Sequence, residues 1–156
     1  MISSVVNFVR LPLVLLTIWT IARFSLGMFG MPYAPRGNAM FSVVGLTVIS
    51  CLYYGALSAK IGKFSWLGTA LIGVAIGLFA QILIFGATLL SYAGGFSSSY
   101  FIHWDALNQP EGTVATMGTA IGTRVFGLFV NSILSAIIAM VGRLLSPLAP
   151  PMSAKA

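Results

Sequence analysis

Four apolar runs, each long enough to cross a bilayer and none holding an Asp or Glu, constrain this chain more than any motif in it. A hydrocarbon core about 30 Å thick needs about 20 helical residues. With no water there to satisfy backbone groups, a spanning segment of this kind is a helix. The first run covers about Leu11 to Met31 (11–31), with Pro12 suited to a first helical turn. The second, Ala39 to Ala59 (39–59), lies between Arg36 and the pair Lys60 and Lys63. The third, Trp66 to Tyr92 (66–92), carries an aromatic at each end, as a tilted span does at its interfaces. The fourth is expected over 113–145, with its driest part between Arg124 and Arg143.

Charge scarcity agrees. Only 6% of the 156 residues are charged and 58% are hydrophobic, against roughly a quarter charged in a soluble domain. Ten charges cannot clothe a water-facing surface of this size, whereas lipid removes the need. The expectation is one all-α integral membrane domain, with four transmembrane helices in two antiparallel hairpins. The net charge of +6 does not point to nucleic acid, because the basic residues are scattered and form no patch with interleaved aromatics. They read as topology signals and lipid-headgroup contacts. Cys51 stands alone, which excludes an internal disulfide and a cysteine metal cluster. The N-terminal run lacks a small-residue cleavage site, so it is expected to be retained.

Between the third and fourth runs lies the one sizeable polar segment, 93–112, which holds both carboxylates, Asp105 and Glu111, and the single histidine, His103. Gly94 and Gly95 suit a helix end, and Pro110 with Glu111 a helix start. Phe96, Tyr100, Phe101 and Trp104 make it too aromatic for a freely solvated loop, so it is expected to lie on the membrane surface or to plug the bundle rim. The tail, 146–156, is proline-rich and expected to be extended. Counting basic residues, an inside N-terminus puts Arg10, Lys60, Lys63, Arg143 and Lys155 on the cytoplasmic side and Arg23, Arg36 and Arg124 outside. That bias favours both termini in the cytoplasm and the aromatic loop outside.

Helical periodicity gives each span a small or polar stripe opposite a bulky one. Ala70, Gly73, Gly77, Gln81, Thr88 and Ser91 share a face of the third span, and Arg124, Gly127, Asn131, Ser135 and Gly142 a face of the fourth. Thr17, Thr20, Arg23 and Gly27 do so in the first, and Thr47, Ser50, Tyr54 and Ser58 in the second. Small residues let backbones approach and polar ones find partners across helices, so these stripes are expected to turn inward. Gly73 with Gly77, and Gly118 with Gly122, form GxxxG pairs suited to close packing.

Four residues are candidates for binding a ligand or lipid: Arg23, Arg124, Gln81 and Asn131. The two amides fall near mid-membrane, where an unpaired amide is costly; they serve either as polar glue between helices or as a coordination point for a solute or ring-bearing cofactor. Arg23 lies 13 residues after Arg10, roughly 20 Å along a helix, and so short of the outer boundary. It either snorkels to the headgroups or joins Arg124 in an outward vestibule with Asp105, Glu111 or an anionic ligand. In the outer loop His103, Trp104 and Asp105 are candidates. Ser97 to Ser99 with His103 and Asp105 supply the residue types of a hydrolytic triad, but no G-x-S-x-G elbow is present. One histidine cannot build a zinc site and gives at most a single axial ligand to a metal-bearing macrocycle. No catalytic residue, metal site or cofactor is therefore assigned.

The absence of a carboxylate from all four spans argues against a proton- or cation-coupled transporter. The leading expectation is a small non-catalytic membrane subunit that packs within a larger respiratory, photosynthetic or transport complex. Its partners would be membrane lipids and other membrane subunits or copies of itself. The first alternative is a small oligomeric transporter, channel or lipid-binding protein for an anionic or neutral solute. The second is a membrane enzyme using His103 and Asp105.

Overall fold

The computed structural model describes residues 2–31, 33 and 41–148, and these are helical, with no strand among them. Four long helices follow one another: α1 (Ile2–Met28), α2 (Val43–Lys60), α3 (Trp66–Ala93) and α4 (Met117–Leu144). All four are long and apolar enough to span a membrane. At 18 residues α2 is about 27 Å long and just matches a bilayer core, while α1, α3 and α4, of 27 or 28 residues, reach about 40 Å and must tilt or project. The chain is a four-helix membrane bundle.

The helix ends follow capping chemistry rather than hydropathy. Ser42 accepts from the Gly45 amide at 3.1 Å, Ser65 from Gly68 at 3.2 Å and Thr116 from Thr119 at 3.3 Å. Each oxygen satisfies an amide that the helix itself leaves without a partner. These caps start α2 at Val43 and α4 at Met117, later than their apolar runs begin. At α1 the difference goes the other way. The helix starts at Ile2, and Pro12 lies buried in its interior instead of in its first turn. A helix that loses one amide donor to proline is tolerated in a bundle, where neighbours re-satisfy the freed carbonyl. Arg36, Lys155, the 34–40 stretch and the tail beyond Leu148 lie outside the described residues; just before it, residues 146–148 form a 3-10 turn instead of an extended strand.

Both ends of the bundle are identifiable from contacts. Phe8 of α1 packs edge-on against Phe64 and Tyr54, and Arg143 of α4 donates to the Phe64 carbonyl. The start of α1, the α2–α3 turn and the end of α4 therefore share one end, called here the turn end. At the other, the cap end, Ser98 donates to the Gly27 carbonyl at 2.7 Å and Tyr100 to the Met31 carbonyl at 2.8 Å. Residues 94–116 form the cap, which plugs the bundle with Tyr100, Phe101 and Leu107, all buried, and contains a 3-10 turn, Asp105–Leu107.

The α3–α4 hairpin is the most extensively packed pair, and the helices also interlock across the hairpins. Helix α1 seats chiefly on α3, α2 chiefly on α4, and α1 and α4 do not touch. Glycine explains the α2–α4 seam. A Cβ on Gly55 would run into the Ala139 backbone, and one on Gly142 into that of Leu52, so only their bare backbones permit this approach. Gly73 lies in the same way against the Ser135 backbone of α4, and Gly77 against the Ser135 side chain. The outward sides carry the bulky residues: Ile82 on α3 and Phe126, Phe129, Ile133 and Ile137 on α4 are exposed to the surroundings. Gly118 and Gly122 also face outward.

Candidate functional site

The four predicted binding residues do not form one site. Gln81, Arg124 and Asn131 come together in a cleft between α3 and α4, while Arg23 joins the loop residues His103, Trp104 and Asp105 in a separate cluster at the cap end.

In the cleft, the seven residues that separate Arg124 from Asn131 make two helical turns, which keeps both on one face of α4. Gln81 opposes them from the middle of α3. Arg124 is spent largely on the cap: Nε donates to Thr88 Oγ1 at 3.0 Å, one terminal nitrogen to the Phe101 carbonyl at 2.8 Å, and the other to the Ala106 carbonyl at 3.1 Å. Thr88 in turn donates to the Ile84 carbonyl. The arginine thus ties the plug to the helices through neutral oxygens. It does not meet Asp105 or Glu111 in a vestibule: among the described residues it has no ion pair. The reason is position, since its level on α4 matches the carbonyls of Phe101 and Ala106.

Gln81 and Asn131 crowd the same glycine. A Cβ on Gly127 would sit 3.2 Å from Gln81 Oε1 and 3.3 Å from Asn131 Nδ2. The cleft these residues border has a volume of about 220 Å³ and is lined also by Asn108, Thr123, Phe126 and Val130. Asn108, at its cap end, takes a left-handed conformation (φ 53°) that asparagine tolerates. A second, largely apolar groove lies between α1 and α3, walled by Thr20, Phe24, Ile82, Gly86 and Leu90.

The cap-end cluster is built on rings. The Arg23 guanidinium stands over Tyr100 at 5.3 Å and over Tyr33 at 5.7 Å from the ring centres. Tyr33 donates to Asp105 Oδ2 at 3.1 Å and stacks on His103, with 4.1 Å between centroids; Trp104 lies 5.0 Å from the same imidazole. Burial, then the Asp105 hydrogen bond and charge, push the Tyr33 phenol up, and Arg23 partly opposes them. Burial holds His103 below its usual 6.5, with Asp105 pulling the other way. His103 Nδ1 accepts from the Asp105 amide at 3.3 Å, so in this tautomer the proton sits on Nε2. Ser98 is committed to Gly27, and Ser99 accepts from Ser91 at 2.6 Å. Those two hydroxyls are therefore engaged with partners other than His103. Among the described residues no group of His, Cys, Asp and Glu could hold a metal ion.

Three contributors were not singled out by sequence reasoning. Tyr33, in the segment between α1 and α2, bridges Arg23 to Asp105; its signal is an aromatic at an interfacial position. Asn108 borders the cleft from the cap and carries no signal beyond a polar residue in a loop. Arg143, read only as a topology marker, donates to the Phe64 carbonyl and to Thr69 Oγ1 and stacks over Trp66 at 4.7 Å. It staples the turn end as Arg124 staples the cap end. No protein-family model, curated protein or solved structure matches the chain.

Proposed function

We propose that this protein is a small non-catalytic membrane subunit that packs within or stabilises a larger membrane assembly, with α4 as its docking helix. The observation that carries the reading is the outward side of α4. Gly118 and Gly122 face outward, with only the Thr116 hydroxyl, 4.0 Å from a Cβ at Gly118, near them, on the least enclosed of the four spans. In lipid, where apolar side chains gain little by leaving acyl tails, such small pairs are where helices associate. The partners are other membrane subunits or copies of the chain itself. Both termini lie on the cytoplasmic side in this reading, because Arg10, Lys60, Lys63 and Arg143 belong to the turn-end half of the bundle. The test is purification from native membrane of the wild type and of a Gly118→Leu/Gly122→Leu variant. The wild type should carry a stoichiometric partner or self-associate, and the variant should lose it without losing thermal stability. A wild type that is monomeric and alone at every detergent concentration would defeat the proposal.

A second reading is favoured by the cleft. Unspent amides at mid-membrane support a lipid- or solute-binding role, with or without transport, at Gln81, Asn131 and Arg124.

A further inference from the structure

Gln81 is only 6% exposed, and no hydrogen bond links its amide to any described residue; Asn131 likewise has none. No side-chain nitrogen or oxygen among the described residues is both sealed and unpartnered, so these amides open onto the cleft. Polar groups at this depth are costly to leave unpaired. The absence of a side chain on Gly127 keeps the space between them clear.

Arg124 adds a charge. Three of the five N–H groups of its guanidinium are used on neutral oxygens, which leaves two, and no carboxylate pairs with it among the described residues. A positive charge inside a span calls for an anion. The cleft therefore has a donor-rich, positive base. Its lip is apolar: Phe126 is 69% exposed, and Val130 stands beside it. At about 220 Å³ it is smaller than the roughly 300–1,000 Å³ of pockets for drug-sized ligands, which excludes a macrocycle and suits a headgroup.

We infer that the cleft binds an oxyanion, a carboxylate or phosphate group, through the spare N–H groups of Arg124 and the side-chain amides of Gln81 and Asn131, with the chain of an amphiphile leaving past Phe126. This rests on the reading of the cleft as a binding site and adds the class of its ligand.

The test uses the full chain in non-ionic detergent and native mass spectrometry, with dodecyl phosphate competing against neutral 1-dodecylglycerol. One dodecyl phosphate should bind per chain, at least about tenfold in preference to the neutral lipid. Binding should fall about tenfold or more in Gln81→Leu, the loss expected when one hydrogen bond to a charged group is removed. Should Gln81→Leu fail to fold, Gly127→Ala makes the same test by filling the space between the amides. Displacement by inorganic phosphate would support a water-borne anion, and its failure to displace a bilayer lipid. Equal binding of 1-dodecylglycerol would overturn the oxyanion while leaving a binding site. Undiminished dodecyl phosphate binding in the folded variants would place it elsewhere and overturn the inference, and no adduct of either probe would remove the site reading too.

Discussion

Replacing Gly55 with alanine tests the packing on which the bundle depends. A Cβ there would overlap the carbonyl and α-carbon of Ala139, which are backbone atoms of α4 and cannot rotate away as a side chain would. The two helices must separate, and Gly142, whose own Cβ position is filled by the Leu52 backbone, moves with them. Overpacking costs about 1–3 kcal/mol, and an overlap with backbone atoms belongs to the upper part of that range, about 2–3 kcal/mol. Alanine returns up to about 1 kcal/mol of helix propensity, so a net loss of about 1–2 kcal/mol remains. For a chain of 156 residues that corresponds to roughly 2–8 °C in Tm. Thermal unfolding in a mild detergent, followed by circular dichroism, reads it directly. Gly86→Ala is the control, since a Cβ there meets nothing within 4 Å; it should match or exceed the wild type. A Gly55→Ala protein as stable as the wild type, or a Gly86→Ala protein equally weakened, would refute the packing argument.

Further outcomes follow from the two arginine staples and the half-buried imidazole. In Arg124→Met the cap loses its bonds to Phe101 and Ala106, while the cost of burying a charge also disappears. Hydrogen exchange of amides 99–108 should accelerate at least about tenfold, equivalent to about 1.4 kcal/mol, with the helices little changed. Arg143→Gln should lower overall stability by about 1.5–3 kcal/mol in the same unfolding assay, through loss of the contacts to Phe64 and Thr69. For His103, burial favours the neutral ring in the fold, so below pH 6.5 the unfolded chain takes up the proton first. Stability should therefore fall as pH drops through that value, and the part of the fall absent from His103→Asn, measured over a pH series, belongs to this group.

The four spans were legible because each keeps its apolar character over far more residues than a buried soluble helix needs, and the inward stripes because the helical period repeats along them. Gln81 and Asn131 meet at one level for that reason. The ends were less legible: one serine or threonine cap outweighs several apolar residues, as Ser42 and Thr116 do. The pairing of α1 with α3 and α2 with α4 left no motif. In the α2–α4 seam the determinants, Gly55 and Gly142, are single glycines; of the two readable GxxxG pairs, Gly73 and Gly77 pack on α4, whereas Gly118 and Gly122 face outward. Separation of Arg23 from Arg124 depends on which carbonyls and rings the cap presents, and nothing in the spacing of a loop reports that.

The claim beneath all of this is that acyl chains surround the bulky side of α4. Site-directed spin labelling in liposomes tests it, in a Cys51→Ala background that leaves one introduced cysteine at a time, at Phe129, Ile133 or Ile137. These positions should be highly accessible to dissolved oxygen and shielded from a water-soluble nickel complex. Accessibility to nickel equal to that of a label in the cap, at Gly112, would contradict the account.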